Sequence, residues 1–260
     1  MENWDSGAAY DLYAGRWSKL VGEAFVDWLG KPADLDWADV GCGTGVLSQA
    51  ILAEAKPASL IGVDRSESFL DLAKSRLAGP IAQFKQGEGL DLPVPDASVD
   101  IAVSGLMLNF VPDHAGVVTE MRRIVRRGGS IGIYVWDYGS GMQMMRHFWD
   151  AARQVDPASE RWDQGRRFAI CDPDALSALF ASVDLKSVET RAIDVPTPFR
   201  DFEDFWQPFL GGQGGAPAYC ASLPNEMRDK LRQTLSERLP IEPDGSIALT
   251  ARAWAVRGLV

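Results

Sequence analysis

The chain has 260 residues, 46% apolar and 24% charged, enough for one soluble α/β domain with a large core and an insertion. Its 36 acidic against 26 basic residues leave a net charge of −10, which repels phosphate backbones and argues against a nucleic-acid partner. Cys42, Cys171 and Cys220 lack both metal-ligand spacing and an even count, so they read as reduced thiols and no metal site is expected. The longest apolar run, 131–136, is too short to span a bilayer, and Met1 to Asp5 has neither the basic nor the apolar region of a signal peptide; a cytoplasmic protein with no membrane partner is expected.

In chain order, Tyr10 to Leu29 reads as a turn and an amphipathic helix with Trp17, Leu20, Val21, Ala24, Phe25 and Trp28 on one side, a cap helix (10–30) over the ligand end of the fold. Strands are expected at about 35–40, 59–64, 82–86, 99–104 and 129–137. Helices fall between them at about 44–55, at 66–78 begun by Ser66, and at 114–126 after Pro112-Asp113, the last ended by Arg127-Gly128-Gly129. Arg122, Arg123, Arg126 and Arg127 on that helix read as a solvated face with C-terminal charge. Helices follow at 142–155 and 173–181, and strands at 185–195 and 247–256, the latter with Ala248, Thr250, Arg252, Trp254 and Val256 on one face. Between these two strands lies an insertion, about 196–245, carrying Phe202, Phe205, Trp206 and Phe209 and the Gly211–Gly215 segment. Its size suggests a lid.

Alternating strands and helices predict an α/β fold with a doubly wound, mostly parallel sheet covered on both faces and a helical insertion, all in one domain over 1–260. The residues with most chemical content are Asp39-Val40-Gly41-Cys42-Gly43-Thr44-Gly45, at the end of the first strand, and Asp64, at the end of the second. A glycine turn lets backbone N–H groups and a helix N-terminus approach a ligand, and a carboxylate about 20 residues on accepts from ribose hydroxyls. That pattern is a nucleoside-cofactor site.

The GxGxG spacing, with an acid two residues before its first glycine, resembles the first motif of class I S-adenosylmethionine (SAM)-dependent methyltransferases. Three further segments extend the resemblance to the small-molecule, ubiquinone-biosynthesis-like (methyltransferase type 11) branch: Val63-Asp64-Arg65-Ser66, the run from Gln86 to Asp100, and Ser104 to Asp113. The opening Tyr10 to Ser18 is similar to that branch's "YDxYxGRWS". The resemblance implies a seven-stranded, Rossmann-like sheet with an antiparallel last strand beside the fifth and sixth, and SAM as cofactor, bound by Arg16, Asp39, Gly41, Cys42, Gly43, Gly45, Asp64, Arg65, Glu88, Gly89 and Ser104. Asp64 would hold the ribose and Glu88 the adenine amino group, with Glu88 standing where Asp is commoner and Gly89 where Ala is usual. Arg16 reads equally as a partner of the cofactor carboxylate or as a surface ion pair.

Methyl transfer from a sulfonium is an in-line displacement that mainly requires alignment and exclusion of water. Where the acceptor arrives protonated, His147 and Asp137 are the candidate bases, with His114 read more simply as a helix-start residue. Tyr13, Asn109, Tyr138 and Trp206 are candidates for an acceptor pocket, although the 3–4 spacing of the insertion's aromatics equally fits a packed helix. The function expected is methylation of a small, partly apolar metabolite. An NAD-dependent oxidoreductase and a non-catalytic SAM-binding protein are the alternatives, and the oligomeric state is left open.

Overall fold

A computed structural model describes residues 16–211 and 214–260, with only the backbone of Arg16. Tyr13 and the Arg16 side chain lie outside the described residues. The first half of the chain alternates helix and strand except between β3 and β4: α1 (Arg16–Leu29), β1 (Asp36–Val40), α2 (Val46–Ala50, continued by a wider turn over Ile51–Ala55), β2 (Ser59–Asp64), α3 (Glu67–Leu77), β3 (Ala82–Gln86), β4 (Val99–Gly105), α4 (His114–Ile124) and β5 (Val125–Trp136). Then come α5 (Gln143–Val155), α6 (Gln164–Arg167), α7 (Pro173–Ser182), β6 (Lys186–Phe199), α8 (Phe202–Trp206), α9 (Gly215–Ser222), α10 (Asn225–Arg238) and β7 (Ile247–Leu259).

The seven strands form one sheet in the order β3-β2-β1-β4-β5-β7-β6. The first five are parallel, and the chain winds outward in both directions from β1 and β4. The strand order thus reverses at β1/β4, where open parallel sheets collect ligands beyond their carboxyl ends. β7 runs antiparallel to β5, because Gly128 N–H bonds Val260 O at one end while Asp137 N–H bonds Arg252 O at the other. Four of the five residues of β1 are buried, as expected for a strand covered on both faces.

Local signals behave as their chemistry requires. Ser66 Oγ accepts from Phe69 N–H at the start of α3, and Asp113 Oδ1 from Gly116 N–H at 2.8 Å at the start of α4.

Two sequence expectations are corrected. Arg126 to Gly129 do not end a helix: α4 stops at Ile124, and these residues form an irregularity inside β5, where the register to β4 shifts between Val99 and Ile101. Gly128 has φ +82°, and a Cβ on Gly129 would stand 2.4 Å from Asp100 O, so the chain can fold there only with glycines. On α1, Leu20 and Ala24 are exposed; the buried stripe is Trp17, Val21, Phe25 and Leu29 with Ser18, Gly22 and Val26. Phe25 packs on Tyr134 with ring centroids 4.7 Å apart, and a Cβ on Gly132 would touch Leu29 and Phe25, so α1 lies along β5.

The residues gather into two compact units. One comprises 18–135, 172–193 and 254–260, with β1 to β4 and most of β5. The other comprises Trp17, 136–171 and 194–253, and β6 and β7 each pass from one to the other. In this second unit the core is aromatic: Phe148 stacks on Phe209 at 4.3 Å, Phe199 meets Phe205 at 5.2 Å, and Phe205 meets Phe209 at 5.5 Å.

Candidate functional site

The glycine turn is drawn across the end of β2 by Val63 O, which accepts from both Gly41 N–H (2.8 Å) and Cys42 N–H (3.0 Å). Gly41 has φ +73°, and a Cβ there would fall 2.4 Å from Met107 Cγ. Gly43 has φ +53° with nothing within 4 Å of where its Cβ would be, so backbone conformation alone requires glycine and the space above it is open. Gly45 caps α2 in the left-handed region.

Asp64 also has a role within the fold. Its Oδ2 accepts Gly43 N–H at 2.9 Å and its Oδ1 accepts Ser66 N–H at 2.8 Å, so one carboxylate joins the glycine turn to the start of α3. Half-buried, it keeps further lone pairs for hydroxyl donors. Arg65 beside it is exposed, and its carbonyl accepts from Gln86 Nε2.

Asp39 is fully buried beneath the turn. Ser48 Oγ donates to its Oδ2 at 2.6 Å, while Oδ1 has no hydrogen-bond partner among the described residues. Burial pushes its carboxyl up to about 7, against the opposing pull of the Ser48 hydrogen bond. The Cys42 thiol points into the core, 3.0 Å from where a Cβ on Gly62 would stand, and burial raises it far above the usual thiol range. It is packing, not a nucleophile.

On the far side of the site, Glu88 is exposed, with its carbonyl accepting Asp91 N–H at 3.0 Å. Gly89 faces Val117 and Met107 at ordinary contact distances, so the commoner alanine would fit there. Ser104 is fully buried and donates to Val40 O at 2.7 Å, locking β4 to β1 at the switch point. Asn109 is buried with Nδ2 unpaired among the described residues. Leu106 has φ +59°, an uncommon conformation for leucine that the sequence did not signal. It turns the chain so that Met107 fills the space between Gly41 and Gly89.

Four predicted residues belong to the second unit. Asp137 Oδ1 accepts Ser140 N–H and its Oδ2 accepts Ser140 Oγ, both at 2.9 Å, holding the turn after β5. Tyr138 is buried beside Phe168 at 5.7 Å. His147 is half-buried on α5; burial lowers its pKa, with Asp150 raising it and Arg238 lowering it further. His147 and Asp137 thus have separate neighbours. Trp206 is buried beside Phe209 at 6.1 Å. His114 begins α4 behind its cap, with its pKa lowered by burial against the raising effect of Asp113.

Residues 38–133, from β1 through the glycine turn and Asp64 into β5, match the family model described as a methyltransferase domain. Residues 38–133 thus carry a methyltransferase domain that resembles those of the class I SAM-dependent enzymes. Among curated relatives, the chain is 37% identical over 100 residues to demethylmenaquinone methyltransferase of Lactobacillus johnsonii, an alignment covering 36% of the chain and 41% of that protein. It is 25% identical over 244 residues to trans-aconitate 2-methyltransferase of Acidovorax sp., covering 92% of the chain and 90% of that protein. So the chain spans less than half of the first relative and nearly all of the second. Among solved structures, the chain shares its fold with Haemonchus contortus phosphoethanolamine N-methyltransferase 2, solved with SAM (TM-score 0.58, 13% identity, 92% of this chain and 52% of that one).

The NAD-dependent reading is not supported by any of these matches. Among the described residues, no helix is long and apolar enough to cross a membrane.

Proposed function

We propose that this methyltransferase transfers the methyl group of SAM to a small metabolite whose accepting atom is a carboxylate oxygen. The cofactor assignment draws on the glycine turn: open space above Gly43, the Asp64 carboxylate beside it, and the unpaired buried Oδ1 of Asp39 supply room and acceptors that suit a nucleoside carrying a cationic amino acid. In this reading Asp64 accepts from the ribose hydroxyls, Glu88 from the adenine amino group, and Asp39 faces the amino-acid end. Gly41, Gly43 and Gly45 let the backbone approach, and Ser104 acts at one remove by holding Val40. Bound there, SAM supplies a methyl group on a sulfonium, an electrophile that needs no further activation.

The acceptor reading is carried by one observation: the match to the trans-aconitate 2-methyltransferase takes in 92% of the chain, whereas the match to the demethylmenaquinone methyltransferase takes in 36%. Similarity over about a third of the chain carries less about the acceptor than similarity over nearly all of it. A carboxylate arrives already ionised at neutral pH and needs no general base. That agrees with Asp137, whose two oxygens hold Ser140, and with His147, whose neighbours are Asp150 and Arg238. Both residues are then structural.

The test is incubation with methyl-labelled SAM and a panel of small di- and tricarboxylic acids, with phenols and amines as comparison, followed by mass spectrometry. The expected product is a base-labile methyl ester. Label appearing only on phenol oxygen or amine nitrogen contradicts the acceptor assignment.

A further inference from the structure

The connection from Gly87 to Ser98, between β3 and β4, has no helix or strand of its own beyond a single Glu88–Asp91 bridge, yet it is tied along its length to α4. Glu120 Oε1 accepts Leu92 N–H at 2.8 Å. Arg123 donates through Nη2 to Leu92 O (3.1 Å) and through Nη1 to Val94 O (2.9 Å), and also pairs with Asp96. The two side chains are locked to each other, Arg123 Nε to Glu120 Oε2 at 2.9 Å and Nη2 to Oε1 at 2.6 Å. Beyond them, Ala97 N–H bonds Arg123 O and Ser98 N–H bonds Ile124 O. One planar guanidinium therefore meets two carbonyls and two carboxylates, a task a lysine could not perform in one geometry.

The anchored part sets the shape of the rest. Pro93 lies so close to Gly87 that a Cβ there would stand 2.5 Å from Pro93 Cδ, and Gly89 rests against Val117, on α4 three residues before Glu120. Displacement of Leu92 to Val94 would therefore move Pro93 against Gly87, the neighbour of Glu88. An exposed pair three residues apart on a helix contributes little by itself. Glu120 is instead mostly buried, its side chain 14% exposed, and its hydrogen bonds reach the loop.

We propose that Glu120 and Arg123 are positioning residues for the cofactor: from outside the site they fix the loop that presents Glu88 and Gly89 to the adenine ring. This rests on the assignment of Glu88 to adenine made above. Neither residue touches the cofactor, so their effect is on base recognition and not on the chemical step.

The test uses Glu120→Ala, Arg123→Ala and Glu120→Gln, together with Arg257→Ala, whose guanidinium ties Trp28 O, Leu29 O and Glu189 and so reports a structural network with other partners. Melting temperature is measured for each. Calorimetry then gives the affinity for S-adenosylhomocysteine and for its analogue in which a carbonyl oxygen replaces the 6-amino group. Glu120→Ala and Arg123→Ala are expected to weaken S-adenosylhomocysteine by about tenfold and the analogue by less, shrinking the ratio between them. Glu120→Gln, which keeps an acceptor for Leu92, should restore most of the ratio, and Arg257→Ala should lower the melting temperature with the ratio unchanged.

An unchanged ratio in Glu120→Ala and Arg123→Ala, with or without a fall in melting temperature, overturns the proposal. Should Glu120→Ala fail to fold, Arg123→Lys is read in the same way. Glu88→Ala separates the two levels: if it leaves both affinities unchanged, the adenine assignment itself is wrong. If it shifts the ratio while the α4 variants do not, only the positioning role is wrong.

Discussion

The carboxylate of Asp64 accepts the N–H of Gly43 at 2.9 Å, so the residue expected to hold the ribose also holds the turn on which the cofactor would lie. Binding and local folding are therefore coupled at one side chain. Asp64→Ala should weaken SAM by at least ~10-fold, from the loss of charge-assisted hydrogen bonds. Because Gly43 and Ser66 N–H lose their acceptor as well, it should also cost about 1–3 kcal/mol of stability. Asp64→Asn, which keeps an acceptor oxygen, should recover part of each in parallel calorimetry and denaturant titrations.

Two glycines on opposite sides of Met107 should behave in opposite ways. Gly41→Ala forces a side chain into a left-handed conformation against Met107 Cγ and Cβ, and should destabilise by about 1–3 kcal/mol. Gly89→Ala places its methyl 3.5 Å from Val117 Cγ2 and should change stability by no more than about 0.5 kcal/mol. Urea titration of the two variants checks the contrast, and equal losses would mean that the packing around Met107 is described wrongly.

Asp39 gives a pH signature. Its pKa is raised to about 7 in the folded chain from 3.8, so between those values the folded state binds more proton than the unfolded one, and stability falls as pH rises through that window. Asp39→Asn, neutral throughout, should flatten this slope and be relatively more stable above pH 7 than below. A denaturation series from about pH 4 to pH 8 reads it directly.

Trp206 is predicted to act through stability. With 3% of its surface exposed and Phe209 beside it, Trp206→Ala should cost about 3–5 kcal/mol and lower the melting temperature strongly. A variant that melts like the wild type but turns over acceptor poorly would return Trp206 to an acceptor pocket.

Much of the fold is legible in the sequence because its signals are local. The strands at 59–64 and 82–86 have their expected bounds, and Ser66 and Asp113 cap where their side chains allow. The antiparallel last strand is implied by the family resemblance, and the bonds from Gly128 to Val260 and from Asp137 to Arg252 agree with it. What the sequence hides depends on partners far along the chain. Arg123 and Arg126 resemble a solvated face, yet Arg123 ties down Leu92 and Val94 while Arg126 bridges Asp36 and Asp100. Leu20 fits a helical stripe as well as Val26 does, and only the seating of α1 on Tyr134 and Gly132 decides which is buried. In the site, the glycines and Asp64 are readable from spacing. The left-handed Leu106, and Met107 filling the space it creates, carry no sequence mark.

Calorimetric titration of the protein with SAM, S-adenosylhomocysteine and NAD tests the central claim most directly. The glycine turn, Asp64 and the buried Asp39 predict stoichiometric binding of the first two and none of appreciable strength for NAD; NAD binding more tightly than SAM would contradict the account.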